Sequence, residues 1–107
     1  MTIKDWKIEE LTGYKPISTF YTDFSIADNF GIDAVRDTYK TCFKEWSSDY
    51  KMLTELVMAL NWKIWEHFNA GNEEFAEVYN ELWEKADAYA LDNLKGEEMT
   101  YFIRTTD

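Results

Sequence analysis

Residues 49–71 read DYKMLTELVMALNWKIWEHFNAG, and the fold turns on how this stretch is arranged. At about 100° per residue, Leu53, Leu56, Val57, Leu60, Ile64 and Phe68 share one broad apolar face of a helix, which Met58 and Trp65 extend around the side. Asp49 stands where a side chain can cap the first turn and Gly71 where a left-handed residue can end the last, so the spacing predicts a helix over 50–69. Its charges, Lys51, Glu55, Lys63 and Glu66, are confined to the remaining arc. Such a helix is expected at the centre of a bundle.

Working outward, Asp33 can cap a preceding helix that runs to about residue 48. Val35, Tyr39, Cys42, Phe43 and Trp46 form its apolar stripe, and Arg36, Lys40 and Lys44 line its flank four residues apart. Asn72 can cap a following helix, 72–94. Phe75, Val78, Tyr79, Leu82, Trp83, Ala86, Tyr89 and Ala90 fall on one side of it, and Glu73, Glu74, Glu77, Glu81, Glu84, Asp87 and Asp92 within about 140° on the other. Only Lys85 lies near that carboxylate arc as a countercharge.

The ends carry weaker signals. Thr2 with Asp5 resembles a capping box for a short helix over 3–11, closed by Gly13. From 14 to 24 the pattern is mixed: Pro16 interrupts helix, and the aromatic, Thr-rich run 17–22 suits a loop or a short extended segment. Ser25 can cap a single turn that Gly31 stops. Beyond Gly96, Met99, Phe102 and Ile103 share a face, which predicts a short final helix. The expectation is an all-α fold: one helical domain over 1–107, a small bundle of three long helices with short helices at both termini.

The chain has 107 residues, of which 18% are aromatic, with one Pro and four Gly, so it can bury a sizeable core and does not read as disordered. No apolar run approaches the roughly 20 residues that span a bilayer, and the N-terminus lacks the basic and apolar regions of a secretory signal, so a cytoplasmic protein with no membrane partner is expected. A single Cys excludes an internal disulfide and a zinc site built on paired cysteines. The net charge of -10 disfavours direct nucleic-acid binding, which depends on bases neutralising phosphates.

Residues that could carry chemistry are few. His67, the only histidine, sits late in the central helix beside its apolar face, where it reads as a partly buried helix-end residue with a local hydrogen bond. Cys42 lies in an apolar stripe, where a free thiol behaves as a small hydrophobe. There is no Glu-x-x-His pair of the kind that builds metal clusters in bundles, no phosphate loop and no nucleophile elbow. The expectation is a non-enzymatic protein without cofactor or metal.

Two surface signals are left. The first is the acidic helix: residues 73–98 hold 9 acids and 2 bases, most of the net charge. Glu73, Glu77, Glu81, Glu84 and Asp87 either form a plain solvated face or present charge about every 5 to 6 Å, near enough to phosphate spacing to dock on a basic groove as a nucleic-acid mimic. The second is Trp62, set in the polar arc of the central helix, which either packs under the N-terminal segment or projects as an interface hot spot. The basic line Arg36, Lys40 and Lys44 can pair with the acidic helix.

Three stretches have a recognisable phrasing: Asp23-Phe24-Ser25-Ile26-Ala27-Asp28; Leu53-Thr54-Glu55-Leu56-Val57-Met58 with Leu60-Asn61-Trp62-Lys63-Ile64-Trp65; and Leu94-Lys95-Gly96-Glu97-Glu98 followed by Tyr101-Phe102-Ile103-Arg104-Thr105-Thr106-Asp107. The chain thereby resembles short acidic proteins encoded in prophages and mobile elements of Gram-positive gut bacteria. That resemblance implies a phage or mobile-element protein made inside a bacterium. By analogy with other small acidic proteins of that setting, it implies an inhibitor of host defence of the anti-CRISPR or anti-restriction type. The expected partner is a bacterial nucleic-acid-handling protein with a basic groove. The alternative expectation is a structural or assembly protein, a homodimer or larger homo-oligomer joined through its aromatic surface.

Overall fold

Asp49 starts the central helix as its chemistry requires. Its carboxylate accepts hydrogen bonds from the backbone N–H of Lys51 and Met52 at 3.0 and 3.1 Å, satisfying donors that have no partner inside the helix. Gly71 ends it with φ of 81°, donating to the Phe68 carbonyl while Asn72 donates to that of His67. Those are the two bonds of a Schellman turn, and only glycine enters that backbone region without strain.

The structure, a computed structural model, describes Lys15 to Thr106 and is all-helical over those residues. In chain order the helices are α1 (Lys15–Asp28), α2 (Ile32–Trp46), α3 (Tyr50–Ala70), α4 (Glu73–Asn93) and α5 (Glu97–Thr106). The predicted helix over 3–11 lies outside the described residues. α3 packs most extensively on α4 and also touches α1, α2 and α5. Leu53, Leu56, Val57 and Leu60 of α3 are accordingly buried, against Phe20 and Phe24 of α1, Val35 of α2, Tyr79 and Leu82 of α4 and Phe102 of α5. No described helix is long and apolar enough to cross a membrane.

The structure departs from the sequence reading in several places. Over its described part, from residue 15 on, the 14–24 stretch is no loop: α1 is one continuous helix of 14 residues. Pro16 falls in its first turn, where the missing N–H has no intrahelical acceptor to lose. Phe20, Phe24 and Ala27, at i, i+4 and i+7, bury one side of α1 and override the extended preference of its Thr and aromatic residues. α2 begins at Ile32 behind Gly31, so Asp33 lies in the first turn and caps nothing. Asn72 does occupy the position before α4, but its side chain makes no cap.

The charged arc of α3 is also not a solvated arc. Glu55 and Lys63 are buried, Lys63 because α1 crosses that side of the helix, whereas Phe68, read as core, is 63% exposed. The reason is length. α5 spans about 15 Å and stacks on the start of α3, where Tyr101 meets Tyr50, while Phe68 lies about 27 Å farther along the helix. On α5 itself Phe102 is buried and Met99 packs against the core, but Ile103 stays exposed.

Asp49→Ala should lower stability by about 1 kcal/mol in denaturant unfolding, with an unchanged slope. Gly71→Ala should lose a similar ~1 kcal/mol: no atom lies within 4 Å of the added methyl, so the left-handed backbone alone sets the cost.

Candidate functional site

Among the described residues, a dense set of polar side chains in the interior is built by α1, α3 and the start of α4. α1 presents Tyr21, Ser25 and Asp28 at i, i+4 and i+7, and α3 presents Lys63, Glu66 and His67 at i, i+3 and i+4, so each helix turns one polar stripe toward the other. Lys63 Nζ, with 1% of its side chain exposed, pairs with Asp28 Oδ2 at 2.7 Å and with Glu66, and donates to Ser25 Oγ at 3.1 Å. The ammonium also lies over the ring of Tyr21 at 4.9 Å.

Asp28 gathers the rest. Tyr79 donates to its Oδ1 at 2.6 Å and His67 Nε2 to its Oδ2 at 2.9 Å. His67 stacks on the rings of Phe75 and Tyr79, at 4.9 and 5.4 Å and nearly parallel to both. Asn72 Nδ2, the side chain that would otherwise cap α4, donates to His67 Nδ1 at 3.2 Å, which leaves Nε2 as the N–H that faces Asp28. Tyr21 donates to Glu66, and burial, aided by that carboxylate, pushes its hydroxyl up to about 12. Burial followed by the bond to Asp28 pushes the Tyr79 hydroxyl higher still, so both phenols remain donors.

This geometry bears on what the cluster can do. A Ser–Lys nucleophile pair needs an amine that accepts the serine proton, and Lys63 Nζ is the donor in every contact it makes here. Asp28, Glu66 and His67 bring one ligand atom each within 4.8 Å of one another and are the residues that could hold a metal ion. Lys63 already stands between the two carboxylates, so an incoming cation would have to displace the ammonium. The arrangement is that of a closed internal salt-bridge network.

The residues singled out from sequence lie elsewhere. Glu73, Glu77 and Glu84 are exposed along α4, and Glu84 accepts from Asn80. Glu81 pairs with Arg36 of α2, whose hydrogen bond and charge hold its carboxyl below the usual range. Asp87 is half-buried, and burial pushes its carboxyl up. Trp62 is half-buried on α3. Glu73, Glu77, Glu81 and Glu84 are thus exposed on α4, and Asp87 and Trp62 are half-buried.

Cys42 is buried, and burial with Asp23 and Glu45 nearby pushes its thiol up to about 11, the inert end of cysteine behaviour. His67 is buried with the expected local partner, Asn72, and a distant one, Asp28. Asp28 and Lys63 escaped the sequence reading. Reading α1 as a helix would have found them, since its Tyr21, Ser25, Asp28 stripe is the complement of Lys63, Glu66 and His67. Set against known proteins, the chain matches no family model, no curated protein and no solved structure.

Two outcomes test the buried groups. Lys63→Met leaves two carboxylates facing each other without their cation and should cost about 3 kcal/mol of stability, whereas loss of under ~1 kcal/mol would show that the network is dispensable. Glu55, buried and with Oε2 unpartnered among the described residues, has its carboxyl raised by burial to about 7 from 4.5. The fold therefore favours its acid form: its contribution is full below about pH 4.5 and lost as pH rises through about 7. Relative to Glu55→Gln, the native protein should lose stability over that interval, and parallel curves would refute the assignment.

Proposed function

We propose that this chain works by binding and not by chemistry, laying the acidic face of α4 against a basic groove of a bacterial protein that handles nucleic acid. The observation that carries the reading is the exposure of Glu73, Glu77 and Glu84 along one 21-residue helix whose opposite face is locked into the core. A helix held in that way presents its charges at fixed spacing, so little ordering entropy is lost on docking. Arg36 ties up Glu81 at the edge of the face, while Glu73, Glu77 and Glu84, the last accepting only from the neutral amide of Asn80, stay exposed to meet cations. The resemblance to prophage and mobile-element proteins supports an inhibitor of host defence, of the anti-CRISPR or anti-restriction type, made in the bacterial cytoplasm.

A second reading has its own support. Trp65 and Phe68 form an edge-on aromatic pair at the end of α3, 56% and 63% exposed, and such a patch suits a homo-oligomer. Sedimentation at two ionic strengths separates the readings, because an apolar dimer survives salt and a charge-led complex does not.

Replacing Glu73, Glu77 and Glu84 together by Lys should leave the unfolding temperature nearly unchanged and abolish salt-sensitive capture of a basic protein from bacterial lysate. Capture that is equal with the native and reversed proteins would refute the proposal.

A further inference from the structure

We infer that α1 and α2 form a docking groove for a basic amphipathic helix, a surface separate from the acidic face of α4 and independent of its reading. The two helices are joined by a short turn at residues 29–31 and run antiparallel, and a cleft of about 690 Å³ opens along their outer junction. It opens because the side chains that meet there are short: Thr19 and Ala27 on α1, Ala34, Thr38 and Thr41 on α2. Its floor is apolar, with Phe20, Cys42 and Met52 at the base.

Large apolar groups stand at its margins. Ile26 is 54% exposed and Phe30, at the turn, is 77% exposed, while Trp46 stands at the far end of α2. α2 runs 15 residues from Ile32, just after Phe30, to Trp46, which sets the length of the cleft at about 22 Å. That matches some four turns of a partner helix with anchors at i, i+3 and i+4.

Charge selects the occupant. Among the described residues the cleft is lined by Asp23, Asp37 and Glu45 and by no Lys, Arg or His. Arg36 and Lys40 fall on the opposite flank of α2, where Arg36 pairs with Glu81 of α4. Phosphates of a nucleic acid or a lipid headgroup would meet three carboxylates. A second copy of the chain carries the same net charge of -10 and would bring mostly acids to an acidic cleft. A helix with apolar anchors on one face and Lys or Arg along its borders satisfies both the floor and the lining.

The test uses the intact protein and a labelled amphipathic Leu/Lys peptide of about 16 residues, followed by fluorescence anisotropy, with a Leu/Glu peptide of the same pattern as control. Asp37→Lys with Glu45→Lys is compared with Glu73→Lys with Glu77→Lys, since both pairs change the net charge equally. The groove pair should weaken Leu/Lys binding at least tenfold and the α4 pair less than about twofold. Ile26→Ser with Phe30→Ser, at exposed positions, gives the same loss by a route that leaves charge untouched and keeps the inference testable if the first pair misfolds. Equal weakening by both charge pairs, equal binding of the Leu/Glu peptide, or full binding by the Ile26 and Phe30 variant overturns it. Native dimers that this last variant dissolves also overturn it, by making a second copy the occupant. Loss of lysate capture in the α4 variants with peptide binding intact separates this site from the face proposed above.

Discussion

The structure depends on an ammonium ion placed inside it. Lys63 projects from the middle of α3 into the contact with α1, and Asp28, Glu66 and Ser25 converge on its nitrogen. Taking such charges out of water costs several kcal/mol each before any attraction is counted, so the group is a weak source of net stability. What it supplies is register. Apolar ridges can slide past one another by a fraction of a turn at little cost, whereas a buried cation displaced from its carboxylates leaves all of them unpaired. The same Asp28 also holds Tyr79 and His67, and so ties α1, α3 and α4 at a single point.

That constraint reaches the surfaces. Asn72 bonds to His67 instead of capping α4, so the turn between α3 and α4 closes over the histidine, and Phe75 and Tyr79 both stack on its ring. α4 is thereby fixed in rotation, with Val78, Tyr79 and Leu82 inward and Glu73, Glu77 and Glu84 outward. α1 is fixed against α3 at Tyr21, Ser25 and Asp28, which turns Asp23 and Ile26 away from the core and toward the cleft it shares with α2. Asp28, Lys63, Glu66 and His67 are bonded to one another across the contact of α1 with α3. Outside stand Glu73, Glu77 and Glu84 and several large apolar side chains, among them Phe30, Trp65 and Phe68.

How much was legible in the residues varies by element. The caps and breaks of α3 follow from local rules, and Asp49 and Gly71 act as their chemistry predicts. The helical character of α4 follows from a clean 3.6-residue period, and its buried and exposed sides agree with it. α1 was hidden because Pro16 and the Thr and aromatic residues argue locally against helix, and only packing of Phe20 and Phe24 reverses that preference. The Arg36–Glu81 pair was foreseeable from charge, since a basic line on α2 and an acidic face on α4 were both visible.

The sequence by itself therefore determined the all-helical class, the ends of the central helix and the separation of acids from core on α4, because these depend on periods and caps within one element. The tertiary structure alone decided that Lys63 and Glu55 lie inside, that Phe68 lies outside, and that Asp23, Asp37 and Glu45 border one cleft. Each of these depends on where a second helix runs and how long it is. A helical wheel assigns directions, but it takes the neighbouring helix to decide which of those directions meets water.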